Sequence, residues 1–186
     1  MTPTRPRIAV YGSSTINPAS AEYQLSYSLG AELARAGADV MTGGYSGVME
    51  AASRGAAEAG GHVIGVTVQL FEGRGPVNAW VNQRIHTPDL FERLRVLVNG
   101  ADGFIAVAGS VGTLAEVFLT WTLISAGARA EAPLVLLGDA WPAWLEAQRR
   151  PGFVPEPLMS HLAVADDVSS AVRLALGQTV GGRSRT

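Results

Sequence analysis

Short apolar segments alternate with helix-like segments along almost the whole chain, and this alternation restricts the fold more than any other feature. Most of the apolar segments stop at a glycine, and longer stretches with helical spacing separate them. The apolar segments are RIAVYG, ADVMTGG, HVIGVTV, GFIAVAG, APLVLLG and HLAVA, and the polar QRIHT is interpreted as a short further strand. Buried strands that alternate with helices form a parallel sheet covered on both faces. We therefore predict an α/β fold, a Rossmann-like doubly wound sheet of about seven parallel strands with helices on both faces.

Capping residues and glycines predict where the helices begin and end. Asn17 followed by Pro18 predicts the start of the first helix, which ends at Gly37. Residues 87–89, Thr-Pro-Asp, predict a second start of the same kind, and residues 70–82 are predicted to be irregular. The buried stripe of the helix after residue 89 is predicted to be Leu90, Leu94 and Leu97. Further helices are predicted at 46–61, 111–126, 141–149 and 166–176.

The composition is that of one compact protein. The 186 residues are 47% hydrophobic and 16% charged, which suits a single domain at residues 1–177 with a polar, flexible tail at 178–186. Because there is no cysteine, disulfides, cysteine nucleophiles and thiolate metal sites are excluded.

Charge and hydropathy also restrict the partners. The net charge of −2 argues against a nucleic-acid surface. No apolar run approaches the roughly 20 residues of a membrane helix, and the opening MTPTRPRIAVYG lacks the apolar core of a signal peptide. We expect a cytoplasmic protein with no nucleic-acid or membrane partner.

Three loops rich in glycine and hydroxyl residues follow predicted strands and should share one edge of the sheet. They are Gly12–Ser14, Gly43–Gly47 and Gly109–Thr113. Parallel sheets bind ligands at the carboxyl ends of their strands, where all strand-to-helix turns lie. The third loop opens a helix, whose free N–H groups and dipole attract anions, and Thr113 adds a hydroxyl donor. These loops predict an anion site on this edge.

Each loop also has a purely structural interpretation. Thr113 and Glu116 fit a capping box, in which both side chains satisfy N–H groups at a helix start. The Gly43–Gly47 turn would equally allow close packing of a helix on the sheet. None of the loops matches the dinucleotide fingerprint after the first strand or the P-loop, which disfavours a standard dinucleotide enzyme and a P-loop NTPase.

Arg93 lies in the helix predicted at 88–100, whose N-terminal part should reach the same edge. Together with Glu92 and Arg95 it could equally belong to a solvated helix face. The histidines show no metal-ligand spacing and are interpreted as structural or surface residues: His62, His86 and His161.

Two longer stretches resemble the signatures of a known family. GGYSGVMEAASRGAAEAGGHVIGVT is similar to the first signature of the LOG family, which is often described as lysine-decarboxylase-like. Its members include cytokinin riboside 5′-monophosphate phosphoribohydrolases. FERLRVLVNGADGFIAVAGSVGTLAEV resembles the second signature, an E-R-K helix followed by P-G-G-x-G-T-x-x-E. The resemblance runs from about Arg7 to Gly138, and it extends to the molybdenum-cofactor carriers, which use a similar fold to bind and not to hydrolyse.

The resemblance implies roles for particular residues. Arg93 falls on the family's catalytic arginine and Glu116 on its catalytic glutamate. The family's characterised members do not use pyridoxal phosphate, and we expect no cofactor and no metal. The residues predicted to bind phosphate or nucleotide are Gly12, Ser13, Ser14, Gly43, Gly44, Gly47, Gly109, Ser110, Val111, Gly112 and Thr113.

The sequence departs from the second signature at three positions. Leu94 replaces the lysine that follows the arginine, which removes a positive charge, and Ala108 replaces the proline. Ser110 replaces the second glycine. If that position requires a positive φ, Ser110 costs roughly 1 kcal/mol; alternatively, its hydroxyl adds a phosphate donor.

We therefore predict hydrolysis of the N-glycosidic bond of a purine nucleoside 5′-monophosphate, such as AMP or an N6-modified form, to free base and ribose 5-phosphate. The alternative is a carrier that binds a nucleotide or the molybdenum cofactor without turnover. An NAD-linked enzyme is a third, weaker alternative. A homodimer is expected from the resemblance and from the aromatic and aliphatic helix 114–124, which carries more apolar surface than one sheet face requires. Four of its residues are predicted to form core or a subunit interface: Val117, Phe118, Trp121 and Ile124.

Overall fold

The computed structural model describes residues 5–149 and 153–178, and this part of the chain contains seven strands and seven α-helices. The strands are β1 Arg7–Tyr11, β2 Asp39–Thr42, β3 Val63–Val68, β4 Gln83–Thr87, β5 Gly103–Val107, β6 Leu134–Leu137 and β7 Leu162–Ala165. The helices are α1 Ala21–Arg35, α2 Val48–Glu58, α3 Leu90–Gly100, α4 Val111–Ser125, α5 Ala140–Gln148, α6 Glu156–Met159 and α7 Val168–Ala175. A 3₁₀ segment, Gln69–Arg74, follows β3. Apart from residue 178, the predicted flexible tail lies outside the described residues.

All seven strands are parallel and follow the order β4-β3-β2-β1-β5-β6-β7. From β1 the chain first builds outward to β4 and then returns to place β5 on the other side of β1. The carboxyl ends of β1 and β5 therefore form the switch point of the sheet, where folds of this class leave a crevice for ligands. The predicted Rossmann-like sheet is confirmed.

Two hydrophobic layers hold the helices on the sheet. One lies between the sheet and helices α3, α4 and α5, and the other between the sheet and helices α1, α2 and α7. Strand β5 shows the alternation, because Phe104 belongs to the first layer and Ile105 to the second. No helix in the described parts of the chain has the length and hydropathy needed to cross a membrane.

Two helix starts differ from the sequence prediction. Helix α1 begins after Ser20, whose hydroxyl accepts from the N–H of Tyr23, whereas Asn17 accepts from the N–H of Ala19 in the preceding turn. Helix α3 begins after Asp89, not after Thr87 as predicted. Pro88 explains the second difference, since the residue before a proline avoids the helical region and here completes β4.

The buried stripe of α3 also differs from the prediction. Leu97 is buried as expected, but Leu90 is exposed and Leu94 only half-buried. Arg93 is buried instead, together with Val98, because polar partners for its guanidinium group lie beneath the helix. The 3₁₀ segment occupies part of the stretch predicted to be irregular, and the short helix α6 has no counterpart in the prediction.

Candidate active site at the carboxyl edge of the sheet

The loops after β1 and β2 are joined to each other by hydrogen bonds. The N–H of Val48 donates to the carbonyl oxygen of Ser13 over 2.8 Å, and the hydroxyl of Ser46 donates to the carbonyl oxygen of Ser14 over 2.9 Å. Gly47 makes this contact possible: it has a φ of 72°, and a methyl group added there would overlap the carbonyl oxygen of Ser13. The two loops therefore form one continuous wall, as the prediction of a shared edge requires.

The loop after β5 faces this wall across the switch point. A Cβ atom added to Gly109 would lie 2.9 Å from the backbone nitrogen of Ser13 and would overlap Oγ1 of Thr113. The loops 12–14 and 109–113, which are separated by almost a hundred residues of chain, are thus brought into contact.

The start of α4 is open to a ligand. The N-cap residue Ser110 accepts no side-chain hydrogen bond from the helix, and nothing lies within 4 Å of a Cβ atom built at Gly112. Val111 is 81% exposed, whereas Thr113 is buried. Because the first N–H groups of a helix have no partner within the helix, this end can hold an anion.

Ser110 itself is unstrained. Its φ is −91°, so the possible cost of a serine at this position of the signature does not arise. Ser110 is exposed, so its hydroxyl can still serve as an added donor to a bound phosphate, as the sequence suggested.

Arg93 and Glu116 meet beside this loop in a buried ion pair. Nη1 of Arg93 lies 3.3 Å from Oε1 of Glu116, and the two side chains are 7% and 12% exposed. Nε of Arg93 donates to the carbonyl oxygen of Val66 in β3 over 2.9 Å. The guanidinium group passes over Gly43, where a methyl group would overlap Nη2. Glycine is therefore needed after β2 for Arg93 to reach Glu116.

This geometry decides between the interpretations left open by the sequence. Glu116 does not complete a capping box with Thr113: α4 has Ser110 as its N-cap, and the carboxyl group of Glu116 binds Arg93 on the neighbouring helix. The capping-box interpretation is wrong for this helix. Arg93 is not part of a solvated face either, in contrast to Arg95, which pairs with Glu92 at the surface.

Burial raises the pKa of the Glu116 carboxyl group to about 7, although the charge and hydrogen bond of Arg93 act in the opposite direction. A carboxylic acid with such a pKa exchanges its proton near neutral pH, which is the property required of a general acid or base.

Tyr11 supports the backbone of α4 beneath Glu116. Its hydroxyl lies 3.2 Å from Oγ1 of Thr120, and Thr120 donates its own proton to the carbonyl oxygen of Glu116. Tyr11 is therefore the donor in the first bond. Burial, together with the negative charge of Glu116, raises the pKa of Tyr11 far above its usual value and keeps this donor protonated.

Three residues near the site were missed by the sequence analysis. Thr120 follows Glu116 by one helical turn, and this spacing could have indicated that its hydroxyl reaches the backbone of Glu116. Tyr11 is the last residue of β1, where it looks like any other core residue. Phe71 comes from the 3₁₀ segment and lies 5.9 Å, measured to its ring centre, from Cζ of Arg93. No local pattern in the sequence marks it.

His62 and His86 contact polar side chains on neighbouring strands. Nδ1 of His86 lies 3.2 Å from Oγ1 of Thr67, and Nε2 of His62 lies 3.3 Å from Oε1 of Gln83. Within residues 5–149 and 153–178, no group of three or more histidine or acidic side chains is arranged to hold a metal ion.

Comparison with known proteins places the chain in a family. The model of the SLOG cluster4 family matches residues 5–137, which is most of the chain. The chain belongs to the SLOG cluster4 family. Both signatures that resembled the LOG family lie inside the matched region, so that resemblance is confirmed.

Proteins similar to this SLOG protein include a phosphoribohydrolase and two molybdenum cofactor proteins. A cytokinin riboside 5′-monophosphate phosphoribohydrolase from Mycobacterium tuberculosis is 32% identical over 174 residues, which cover 89% of this chain and 91% of the relative. Among solved structures, a molybdenum cofactor binding protein from the phototrophic bacterium Rippkaea orientalis is 27% identical with a TM-score of 0.74, covering 94% of this chain and 97% of that one. The molybdenum cofactor carrier protein of Chlamydomonas reinhardtii is 30% identical with a TM-score of 0.71, covering 94% and 98%.

Proposed function

We propose that the protein hydrolyses the N-glycosidic bond of a purine nucleoside 5′-monophosphate, such as AMP, and releases the free base and ribose 5-phosphate. The observation that carries this proposal is the buried pair of Arg93 and Glu116 beside the open start of α4. The similarity to a phosphoribohydrolase over most of both chains supports the same reaction.

The phosphate group binds in a cradle formed by the loops 12–14 and 109–113. The N–H groups at the start of α4 and the hydroxyl groups of Ser110 and Thr113 serve as donors. The glycines of the loop after β2 make room for protein groups: Gly43 for the guanidinium group of Arg93 and Gly47 for the carbonyl oxygen of Ser13. The ribose then lies between this cradle and the ion pair.

The Glu116 carboxylate acts on the reacting carbon. As the bond between C1′ and the base nitrogen breaks, its electron pair leaves with the base, and positive charge develops on the ribose. A carboxylate fixed nearby stabilises this charge and accepts a proton from the attacking water. The water supplies hydroxide to C1′, and a proton ends on the departing base, so the products balance.

Arg93 fixes the carboxylate and offsets part of its charge. Its planar donor group is held on one side by Val66 and on the other by Glu116. A positive charge beside the carboxylate reduces the repulsion that a carboxylate so close to a phosphate site would otherwise suffer.

Incubation of the purified protein with AMP, followed by detection of free adenine, tests the proposal. We expect Glu116→Gln to keep its fold and to bind AMP but to lose at least about 100-fold in turnover, the typical effect of removing a positioned acid–base group. Arg95→Gln, which changes an exposed residue of α3, is the matched control and should keep full activity. A wild-type protein that binds AMP but releases no base from any purine monophosphate contradicts the proposal.

The second candidate function is that of a carrier, which binds its ligand without turnover. It is favoured by the likeness to the two molybdenum cofactor proteins over almost the whole chain. The same experiment separates the two candidates, because a carrier binds the nucleotide or cofactor and leaves it intact.

A further inference from the structure

The cradle and the ion pair together give the direction of the bound nucleotide. The cradle lies at the ends of β1 and β5, whereas Arg93 passes over Gly43 at the end of β2 and bonds to Val66 in β3. Neighbouring strands are about 4.8 Å apart, so β3 lies about 10 Å from β1. This is the length scale of a mononucleotide. With the phosphate at the cradle and C1′ at the ion pair, the base extends toward the carboxyl end of β3.

The 3₁₀ segment Gln69–Arg74 occupies this position, because it follows Val68, the last residue of β3, without a break. Its half-buried Phe71 has its ring centre 5.9 Å from Cζ of Arg93 and 5.8 Å from the ring of Tyr45, in an edge-on arrangement. Tyr45 is itself fixed, since its hydroxyl donates to the carbonyl oxygen of Val68 and accepts from the N–H of the same residue. An aromatic ring is thus held next to the ion pair on the β3 side.

Aromatic side chains are suited to contact a nucleic-acid base, because every base has a flat π face on which such a ring can stack. A purine offers a larger face than a pyrimidine. We propose that the 3₁₀ segment forms the base subsite, with Phe71 as the residue that contacts the base and favours purines. This inference rests on the proposed nucleotide site, but it does not require that the nucleotide be hydrolysed.

Comparison of AMP with ribose 5-phosphate, which has the same phosphate and sugar but no base, tests the proposal. Both ligands are titrated by calorimetry into the full-length Glu116→Gln protein, so that AMP is not consumed. Adding Phe71→Ala should weaken AMP binding roughly 10-fold or more while changing ribose 5-phosphate binding less than about twofold. Phe71→Trp should restore most of the affinity for AMP.

Phe153→Ala is the matched control, since it removes an exposed phenylalanine that follows α5, and it should leave both affinities unchanged. Circular dichroism checks that each variant is folded.

Three results would overturn the inference. Equal loss of both ligands would show that Phe71 acts only through Arg93, and no loss of either would show that it does not border the site. Equal affinity for AMP and ribose 5-phosphate in the Glu116→Gln protein that keeps Phe71 would show that there is no base subsite.

These outcomes are separate from the test of hydrolysis. Selective loss of AMP binding in a protein that releases no adenine would support the base subsite and contradict the proposed reaction. Release of adenine that is indifferent to Phe71→Ala would do the opposite.

Discussion

At the scale of single residues, the ionisation of Glu116 should set the pH dependence of the reaction. Burial raises the pKa of this carboxyl group to about 7, and the proposed mechanism uses the ionised form. We therefore expect kcat/KM to fall about tenfold per pH unit below pH 7 and to level off above it. A steady-state pH profile with AMP measures this.

The phosphate group of the substrate also titrates, with a pKa of about 6, and must be separated from this effect. Binding of AMP to Glu116→Gln, measured over the same pH range, reports the titration of the phosphate group without that of Glu116. A profile whose midpoint lies near 4.5, the ordinary value for a glutamic acid, would contradict the role of burial.

Gly43 gives a second prediction at this scale. A methyl group at Gly43 would overlap Nη2 of Arg93, so Gly43→Ala must displace the guanidinium group from Glu116. We expect turnover of AMP to fall at least about tenfold while the circular dichroism spectrum stays unchanged, since misplacement of a positioning group is costly. Gly100→Ala is the control, because its methyl group would meet only the flexible end of Met41. Full activity of Gly43→Ala would show that turnover does not require the Arg93 guanidinium group to lie against Glu116.

The sequence predicted the identity of some site residues but not the contacts that they make. Arg93 and Glu116 were chosen from matched motifs, but their direct contact is made across 23 residues and two helices and follows no local rule. The contribution of Gly43 was predicted only as part of a loop, because the reason for the glycine is an atom of Arg93. Phe71 was missed, since its position depends on how the segment after β3 folds.

At the scale of elements, the start of α4 is the proposed phosphate cradle. We predict that AMP binds much more tightly than adenosine and that Gly112→Asp removes this preference. The new side chain has room, because nothing lies within 4 Å of the position, and an acid in the first turn of a helix is favourable for stability. The loss would therefore arise from repulsion of the phosphate and not from unfolding.

Gly112→Asn, which has nearly the same shape but no charge, is the control for this substitution and should keep most of the preference. Calorimetry with the two ligands measures both variants. If wild-type protein binds AMP and adenosine equally, the loop is only a strand-to-helix turn.

Strands were easier to predict than helix ends. A strand of a doubly covered sheet is buried on both faces, so it appears as a plain apolar run, as in β5 and β6. A helix start depends on which of several polar residues provides the cap. Ser20 and Asp89 provide the caps instead of Asn17 and Thr87, and the carboxyl group of Glu116 binds Arg93 instead of the start of its own helix. Competing caps thus lie close together in the sequence, and at Glu116 a long-range partner overrides the local capping pattern.

At the scale of the whole molecule, the alternation of elements predicted a parallel sheet but not the order of its strands. In this order β1 pairs with β5, and this pairing brings the loops 12–14 and 109–113 together. The alternation of strands and helices implies only that these loops lie at the same edge of the sheet. The pairing across the switch point had to come from the structure.

The prediction of a homodimer also belongs to this scale. Within the apolar helix α4, Trp121 is buried inside the chain and donates from its indole nitrogen to the carbonyl oxygen of Leu158, so it is not available to a partner. Phe118 remains 40% exposed, and Phe91 on α3 is 87% exposed. We expect light scattering at micromolar concentration to give twice 19.4 kDa or a multiple of this mass.

Phe91→Asp should shift the mass toward the single chain, because it places a charge at an exposed aromatic position on α3, which contacts α4, whereas Phe153→Asp after α5 should not. A wild-type protein that shows only the 19.4 kDa species would contradict the prediction.

The contact between Arg93 and Glu116 joins the two halves of the sheet, since α3 follows β4 at one edge and α4 follows β5 on the other side of β1. If either helix opened locally, a buried charge would lose its partner, which is costly. The two helices should therefore open together as one cooperative unit in amide hydrogen exchange, although they are separate in the chain. A nucleotide bound between the halves would slow exchange in both, so that protection of α3 would report what is bound at the start of α4.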